Sequence, residues 1–285
     1  MKVGILGGGR MGAGIAHAFL TSPDTGPGHD VVVVERDDAL RDAAAQRIRE
    51  SLSRSIDRGT IDRSLQEAIS TLRVSTDIQD FADCDLVIEA VPEDRALKLD
   101  ALTRVEATIR EDAALASNTS SISIEALAAS LMRPQNFLGL HFFNPVPSSS
   151  LVEIVSGSAT DPALVERARG WVEALGKTPI VVRDAPGFAS SRLGLVLALE
   201  AIRMLDAGVA SAEDIDRAME LGYRHPMGPL RTTDVVGLDV RLGIAEELYA
   251  TLGDRFAPPA LLRQMVADGR LGRKSGEGFY RWDDE

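Results

Sequence analysis

The apolar run Lys2–Leu6 leads straight into Gly7-Gly8-Gly9-Arg10-Met11-Gly12, and small and apolar residues then recur at helical spacing over Met11–Leu20. A glycine loop joining a strand to a helix constrains this chain more than any other feature. Gly7 permits a tight turn, Gly9 lets the backbone approach a pyrophosphate, and Gly12 lets the helix pack onto the strand. The helix N-terminus then points its unpaired amides at the phosphates, with Arg10 and Met11 in its first turn. Such a unit is the opening of a parallel sheet that binds a dinucleotide.

The rest of the first 180 or so residues agrees with that start. Short β-rich runs at Val31–Glu35, Leu72–Ser75, Leu86–Glu89, Ala114–Ser117 and Phe137–Leu140 alternate with helical patterns at Asp38–Arg58, Ala96–Arg110 and Ser123–Ser130. Strand–helix alternation implies a parallel sheet covered by helices on both faces. Ser150–Val155 and Pro179–Val182, flanking a helix near Pro162–Leu175, extend the sheet. Past Arg183-Asp184-Ala185-Pro186-Gly187 the pattern turns helical, with Ser190–Ala207, Ala212–Leu221, Leu238–Leu252 and Pro259–Ala267. The expected fold is therefore α/β, a Rossmann-type doubly wound, mostly parallel sheet over residues 1–184, followed by an all-α domain over residues 185–285. Ser190–Ala207 is apolar nearly all round, which calls for burial in a bundle or against a second subunit. Pro23–His29, rich in Pro and Gly, reads as an exposed loop.

Two patterns carry chemistry. Glu35 ends the second strand, 23 residues after Gly12. A carboxylate there accepts hydrogen bonds from the adenosine ribose hydroxyls and repels a 2′-phosphate, which favours NAD over NADP. Its neighbour Arg36 could partner that phosphate and keeps NADP open as an alternative. The second pattern is His141-Phe142-Phe143-Asn144-Pro145 with Glu153 twelve residues on. An imidazole held by a carboxylate is a good proton acceptor near neutral pH. The turn Ser117-Asn118-Thr119-Ser120-Ser121 lies just upstream and offers hydroxyls, although Ser120 could also serve only to cap the next helix. Together these residues imply a group that takes a hydroxyl proton while a nicotinamide takes the hydride.

Composition removes several classes. The net charge of −12 argues against a nucleic-acid partner. No apolar run approaches the ~20 residues of a membrane helix. The first strand begins at Val3, so no targeting leader is expected, and a single cysteine, Cys84, fits a reducing cytoplasm. His17, His29 and His225 show no metal-ligand spacing and read as structural or exposed, so no metal is expected.

In these residues the chain resembles the 3-hydroxyacyl-CoA dehydrogenase family, including the bacterial 3-hydroxybutyryl-CoA dehydrogenases. The resemblance spans nearly the whole chain: Gly7–Ala16, Glu89–Glu93 (EAVPE), Ser117–Ser121, His141–Pro147 (HFFNPVP), Leu151–Ile154, Asp184–Leu193 (DAPGFASSRL), Pro226–Pro229, Val236–Asp239 and Gly272–Tyr280. It implies that His141 is the base, that Glu153 orients it and stabilises the imidazolium, and that Ser120 holds the reacting oxygen. It implies further that Glu93 and Lys98 line the nicotinamide ribose and that Asn144 steadies the loop beside the nicotinamide. Ser51 and Arg58 match family positions that contact CoA, and a homodimer through the helical domain is expected.

Three departures bear on the substrate. Ser191 stands where the family usually has Asn, Ser149 where it often has Met, and Asp57-Arg58-Gly59-Thr60 where a lysine-rich segment meets the CoA phosphates. Together they lean towards a smaller, more polar acyl group and a weaker demand for free CoA phosphates. They leave open an alternative to CoA: a glyceryl-like hydroxyacyl group on an acyl carrier protein, as in similar proteins of bacterial antibiotic pathways. Docking a carrier would draw on Arg47, Arg49, Arg54 and Arg58, some of which could share a helix face.

Overall fold

The computed structural model describes residues 1–23 and 29–282. The loop expected over Pro23–His29 therefore lies mostly outside the described residues. Two compact units divide the chain, Met1–Ala185 and Pro186–Glu285.

The first unit is built on eight strands: β1 (Lys2–Leu6), β2 (Asp30–Val34), β3 (Leu72–Ser75), β4 (Leu86–Glu89), β5 (Ala114–Ser117), β6 (Phe137–Phe142), β7 (Leu151–Ser156) and β8 (Thr178–Arg183). They form one sheet in the order β3-β2-β1-β4-β5-β6-β7-β8. Every neighbouring pair is parallel except β6 and β7, which run antiparallel. The short link between β6 and β7 allows only this: a parallel return needs a crossover of a dozen or more residues. The six parallel strands have the 3-2-1-4-5-6 order of a dinucleotide-binding sheet, in which ligands lie beyond the carboxyl ends of the strands.

The helices of this unit are α1 (Arg10–Leu20), α2 (Asp38–Asp57), α3 (Leu65–Ala68), α4 (Arg95–Glu106), α5 (Ile124–Ala128) and α6 (Pro162–Ala174). Asp37, Ser64, Asp94, Ser123 and Asp161 cap the last five of them with side-chain oxygens. Ser120 is therefore not the cap of α5; Ser123 is, accepting from the Ala126 amide. α3 is too short to leave a readable period in the sequence. The core joins Ile5, Phe19, Val33, Ile48, Leu86, Leu138 and Ile154 between sheet and helices. Cys84 is buried within this unit, and burial pushes its thiol up to about 12, so it is inert at neutral pH.

The second unit contains α7 (Ser190–Asp206), α8 (Ala212–Tyr223), α9 (Pro229–Val236), α10 (Leu238–Leu252) and α11 (Ala260–Ala267). Leu195, Leu199, Ile202, Ile215, Leu230, Leu248, Phe256 and Leu262 form its core. Only one face of α7 is covered: Leu193 is 67% exposed, and Val196 and Leu197 about four-tenths. Two buried carboxylates tie the chain's end to the bundle. Asp234 accepts from the amides of Phe279 and Tyr280 and from the Trp282 indole, while Asp216 accepts from the amides of Leu230 and Arg231 and from the Tyr280 hydroxyl. No helix among the described residues is long and apolar enough to cross a membrane.

Candidate active site and cofactor cleft

β1 delivers its glycine loop to the carboxyl edge of the sheet. Gly7 has φ +95°, and a Cβ there would meet the Ala90 carbonyl at 2.9 Å. At Gly12 a Cβ would stand 1.8 Å from the Gly7 carbonyl oxygen, so only glycine lets α1 begin so close to the loop. Above Gly9 a Cβ would meet nothing within 4 Å, and no side chain caps the N-terminus of α1. Arg10 is exposed there and Met11 packs against the core. An open glycine in front of an uncapped helix N-terminus is the room and the donor set that a pyrophosphate requires, so these residues fit a dinucleotide.

Glu35 follows β2, and its Oε1 accepts from the Gly8 amide at 2.6 Å. That bond fixes the carboxylate beside the loop. Arg36 points away, largely exposed and paired with Asp37 at 3.2 Å. Arg47 on α2 donates to the Gly8 carbonyl at 2.7 Å, so it braces the loop.

A second cluster lies at the ends of β4 and β5. Lys98, on α4, is only 1% exposed, and its ammonium reaches Glu89 Oε1 at 2.8 Å and Glu93 Oε2 at 3.2 Å. Glu89 also accepts from the Ser117 hydroxyl at 2.5 Å and the Val91 amide at 2.7 Å. Glu93 Oε1 accepts from the Thr119 hydroxyl at 2.6 Å, the Ser120 amide at 2.9 Å and the Ser120 hydroxyl at 3.3 Å. Burial works to raise the Glu93 pKa, but the Lys98 charge and these donors outweigh it and hold the carboxyl below its usual range. Lys98 is thus not a solvated lysine; it locks two carboxylates and, through Glu93, the Ser120 turn. Glu89 has no role assigned to it from the sequence, and Ser117 and Thr119 are read there only as hydroxyls of the turn. The signal for Glu89 was present, since a carboxylate ending a four-residue apolar strand is buried at its base and must find a cation.

The third cluster follows from the antiparallel pair. His141 on β6 stands directly opposite Glu153 on β7, both side chains are buried, and His141 Nδ1 lies 2.7 Å from Glu153 Oε2. An ionised Glu153 accepts from Nδ1–H, which makes Nε2 the basic nitrogen of the neutral ring. Phe143 packs on the imidazole with centroids 4.4 Å apart. Asn118 Oδ1 accepts from the Phe142 amide at 2.9 Å, tying the Ser-rich turn to β6. Beyond β6 the chain passes through exposed Asn144, joined to Pro145 by a cis peptide bond, to buried Val146, which faces Gly14 of α1. Lys177 donates to the carbonyls of Val146 and Ser149 at 2.7 and 2.6 Å. The HFFNPVP turn is therefore pinned against the helix that starts at the glycine loop.

Among the residues matched to CoA contacts, Ser51 shares a 2.9 Å hydrogen bond with His17 Nδ1, and Arg58 is exposed just past the end of α2. Ser191 lies on α7 in the second unit and Ser149 in the turn before β7. Burial, with the charges of Lys177 and Arg54, lowers His17 to about 4. A histidine kept neutral in the fold but titrating near 6.5 when unfolded contributes stability that is full above pH 6.5 and is lost as pH falls towards 4. Denaturant unfolding at pH 7.5 and 5 should show that loss, up to about 3 kcal/mol over the full window, and His17→Gln should flatten it. An equal slope in the variant would refute the assignment.

Residues 2–185 match the model of the 3-hydroxyacyl-CoA dehydrogenase NAD-binding domain, and residues 187–282 that of the 3-hydroxyacyl-CoA dehydrogenase C-terminal domain. A probable 3-hydroxybutyryl-CoA dehydrogenase of Deinococcus radiodurans is 43% identical, covering 99% of this chain and 100% of that one. The 3-hydroxybutyryl-CoA dehydrogenase of Mycobacterium tuberculosis is 42% identical over 99% of this chain and 98% of its own. The crystal structure of (S)-3-hydroxybutyryl-CoA dehydrogenase from Ralstonia eutropha superposes with a TM-score of 0.93 at 39% identity, over 99% of both chains. A glycine loop that fits NAD, a sheet of matching order and full-length likeness to these enzymes converge on one conclusion: the chain is an NAD-dependent oxidoreductase that belongs to the 3-hydroxyacyl-CoA dehydrogenase family.

Proposed function

We propose that the protein interconverts a short-chain (S)-3-hydroxyacyl-CoA and its 3-oxoacyl form. The observation that carries this reading is the buried His141–Glu153 pair, set opposite one another across β6 and β7. In the oxidative direction Nε2 of His141 accepts the C3 hydroxyl proton, and Glu153 holds the ring and offsets the charge that forms on it. Ser120, held through its amide by Glu93, turns its hydroxyl from that carboxylate to the reacting oxygen, and Lys98 holds Glu93 in turn. NAD supplies the acceptor for the C3 hydride. Gly7, Gly9, Gly12, Arg10 and Met11 seat its pyrophosphate, Glu35 its adenosine ribose, and Glu93 and Asn144 its nicotinamide half. Ser51 and Arg58 meet the CoA end of the substrate, while Ser149 faces the acyl end.

CoA, rather than a carrier protein, is favoured because both relatives and the Ralstonia structure are named for CoA substrates. The uncovered stripe Leu193, Val196 and Leu197 on α7 supports a homodimer through the helical unit. The lone buried thiol, Cys84, suits a reducing compartment such as the cytoplasm.

The reading is tested by following NADH oxidation with acetoacetyl-CoA at neutral pH. Brisk turnover is expected, with kcat/KM at least about 10²-fold higher for NADH than for NADPH, because Glu35 opposes a 2′-phosphate. A preference for NADPH would overturn the role given to Glu35. Absence of turnover with NADH still bound would overturn the substrate.

A further inference from the structure

β4 and β5 end side by side at the carboxyl edge of the sheet, with Glu89 and Ser117 in register. On its other side β4 neighbours β1, the strand that carries the glycine loop. That boundary separates the two mononucleotide halves of a dinucleotide-binding sheet. Glu35, after β2, takes the adenosine half in the reading above, so the ends of β4 and β5 serve the nicotinamide half.

This end of the sheet holds an unbalanced charge. Glu89 and Glu93 are two carboxylates, and Lys98 is the one cation that pairs with either of them among the described residues. Their other partners are neutral: the hydroxyls of Ser117, Thr119, Ser120 and Ser121 and the amides of Val91, Ser120 and Ser121. Two negative charges and one positive leave one negative charge over. Glu89 and Lys98 are shut off from water, whereas the Glu93 side chain is 38% exposed, so the surplus opens outward at Glu93. A charge left over in a desolvated place favours a cation brought up to it. The nicotinamide is the one part of the cofactor whose charge changes in the reaction: the oxidised ring is a cation and the reduced ring is neutral.

We propose that the Glu89–Lys98–Glu93 cluster discriminates between the two oxidation states of the cofactor, with Glu89 as the specificity-determining residue. Its carboxylate makes the cluster net negative and so favours NAD⁺ over NADH; without it, Lys98 and Glu93 cancel. Glu89 is fully buried and acts through its charge alone. The inference rests on the reading that Glu93 meets the nicotinamide half.

The test is calorimetric titration with NAD⁺, NADH and ADP-ribose, which has both riboses but no nicotinamide. The proteins are wild type, Glu89→Gln, Glu93→Gln, and Lys98→Met combined with Glu89→Gln. Glu89→Gln leaves the cluster neutral and should weaken NAD⁺ relative to NADH by about 3- to 20-fold, the worth of one unit charge acting across a partly desolvated site. ADP-ribose should bind as it does to wild type. Glu93→Gln should lower the same preference. The double variant is net negative again through Glu93 and should restore the wild-type preference, which a damaged fold could not do. A preference that falls in Glu93→Gln but not in Glu89→Gln overturns the inference and leaves Glu93 beside the nicotinamide. A preference that moves in neither overturns that placement as well. A fall in Glu89→Gln that persists in the double variant, or an equal loss of ADP-ribose, also overturns the inference, because it reports a displaced turn rather than a charge. Melting curves check each fold. Should Glu89→Gln fail to fold, Glu93→Gln must lower the preference while the double variant keeps it, and equal values in the two overturn the inference.

Discussion

Replacing His141 by Ala should lower kcat by about 10³- to 10⁴-fold while the protein still binds NADH. The imidazole is the only group assigned to carry the hydroxyl proton, and a positioned base is worth roughly 10²- to 10⁴-fold. Its seat explains a value at the upper end. Nδ1 is held by Glu153 across the β6–β7 ladder and the ring packs against a tilted Phe143, so little ordering is left for the transition state. Glu153→Gln should lower kcat by about 10²-fold or more, because an amide can turn its NH₂ towards Nδ1 and place the ring proton on the wrong nitrogen. NADH binding is followed by fluorescence titration and turnover by absorbance. Turnover of His141→Ala within tenfold of wild type would remove His141 as the base.

Lys98→Met should lower the melting temperature of the first unit by about 10 °C. Glu89 is fully buried and Lys98 nearly so, so deleting the ammonium strands a carboxylate that water cannot reach. Losing one partner of a buried ion pair costs about 3–5 kcal/mol. In a unit of this size each kcal/mol moves the midpoint by roughly 2–4 °C. Removing both charges should be milder, so Lys98→Met with Glu89→Gln should recover more than half of the loss. The single variant should also weaken NADH binding, because Glu93 and the Ser120 turn lose their anchor. A midpoint within 2 °C of wild type, or a double variant no better than the single, would contradict the account.

The alternation of strands and helices was legible in the sequence because each buried parallel strand is a short unbroken apolar run. Boundaries moved by a few residues where polar residues sit inside an element: β6 runs on through His141 to Phe142, beyond the expected end at Leu140, and that extension places the imidazole in the sheet. His141 and Glu153 could be matched as residues, but their contact depends on strand register and direction, which a twelve-residue spacing does not encode. Glu35 was legible from its distance to Gly12, whereas its bond to Gly8 and the brace from Arg47 required the path of α2. α9 escaped notice because Pro229–Val236 lies between Gly228 and Gly237, in a stretch whose signals resemble a loop. α7 read as apolar all round; the structure covers one face and leaves Leu193, Val196 and Leu197 open.

The central claim is that a hydride passes between the nicotinamide and C3 of the acyl chain while His141 handles the oxygen-bound proton. It is tested most directly by supplying NADH deuterated at both C4 positions with acetoacetyl-CoA and reading the product by mass spectrometry and NMR. The account predicts one deuterium, carried on C3 of 3-hydroxybutyryl-CoA with the S configuration. NADH that stays unoxidised, or product without deuterium at C3, would contradict it.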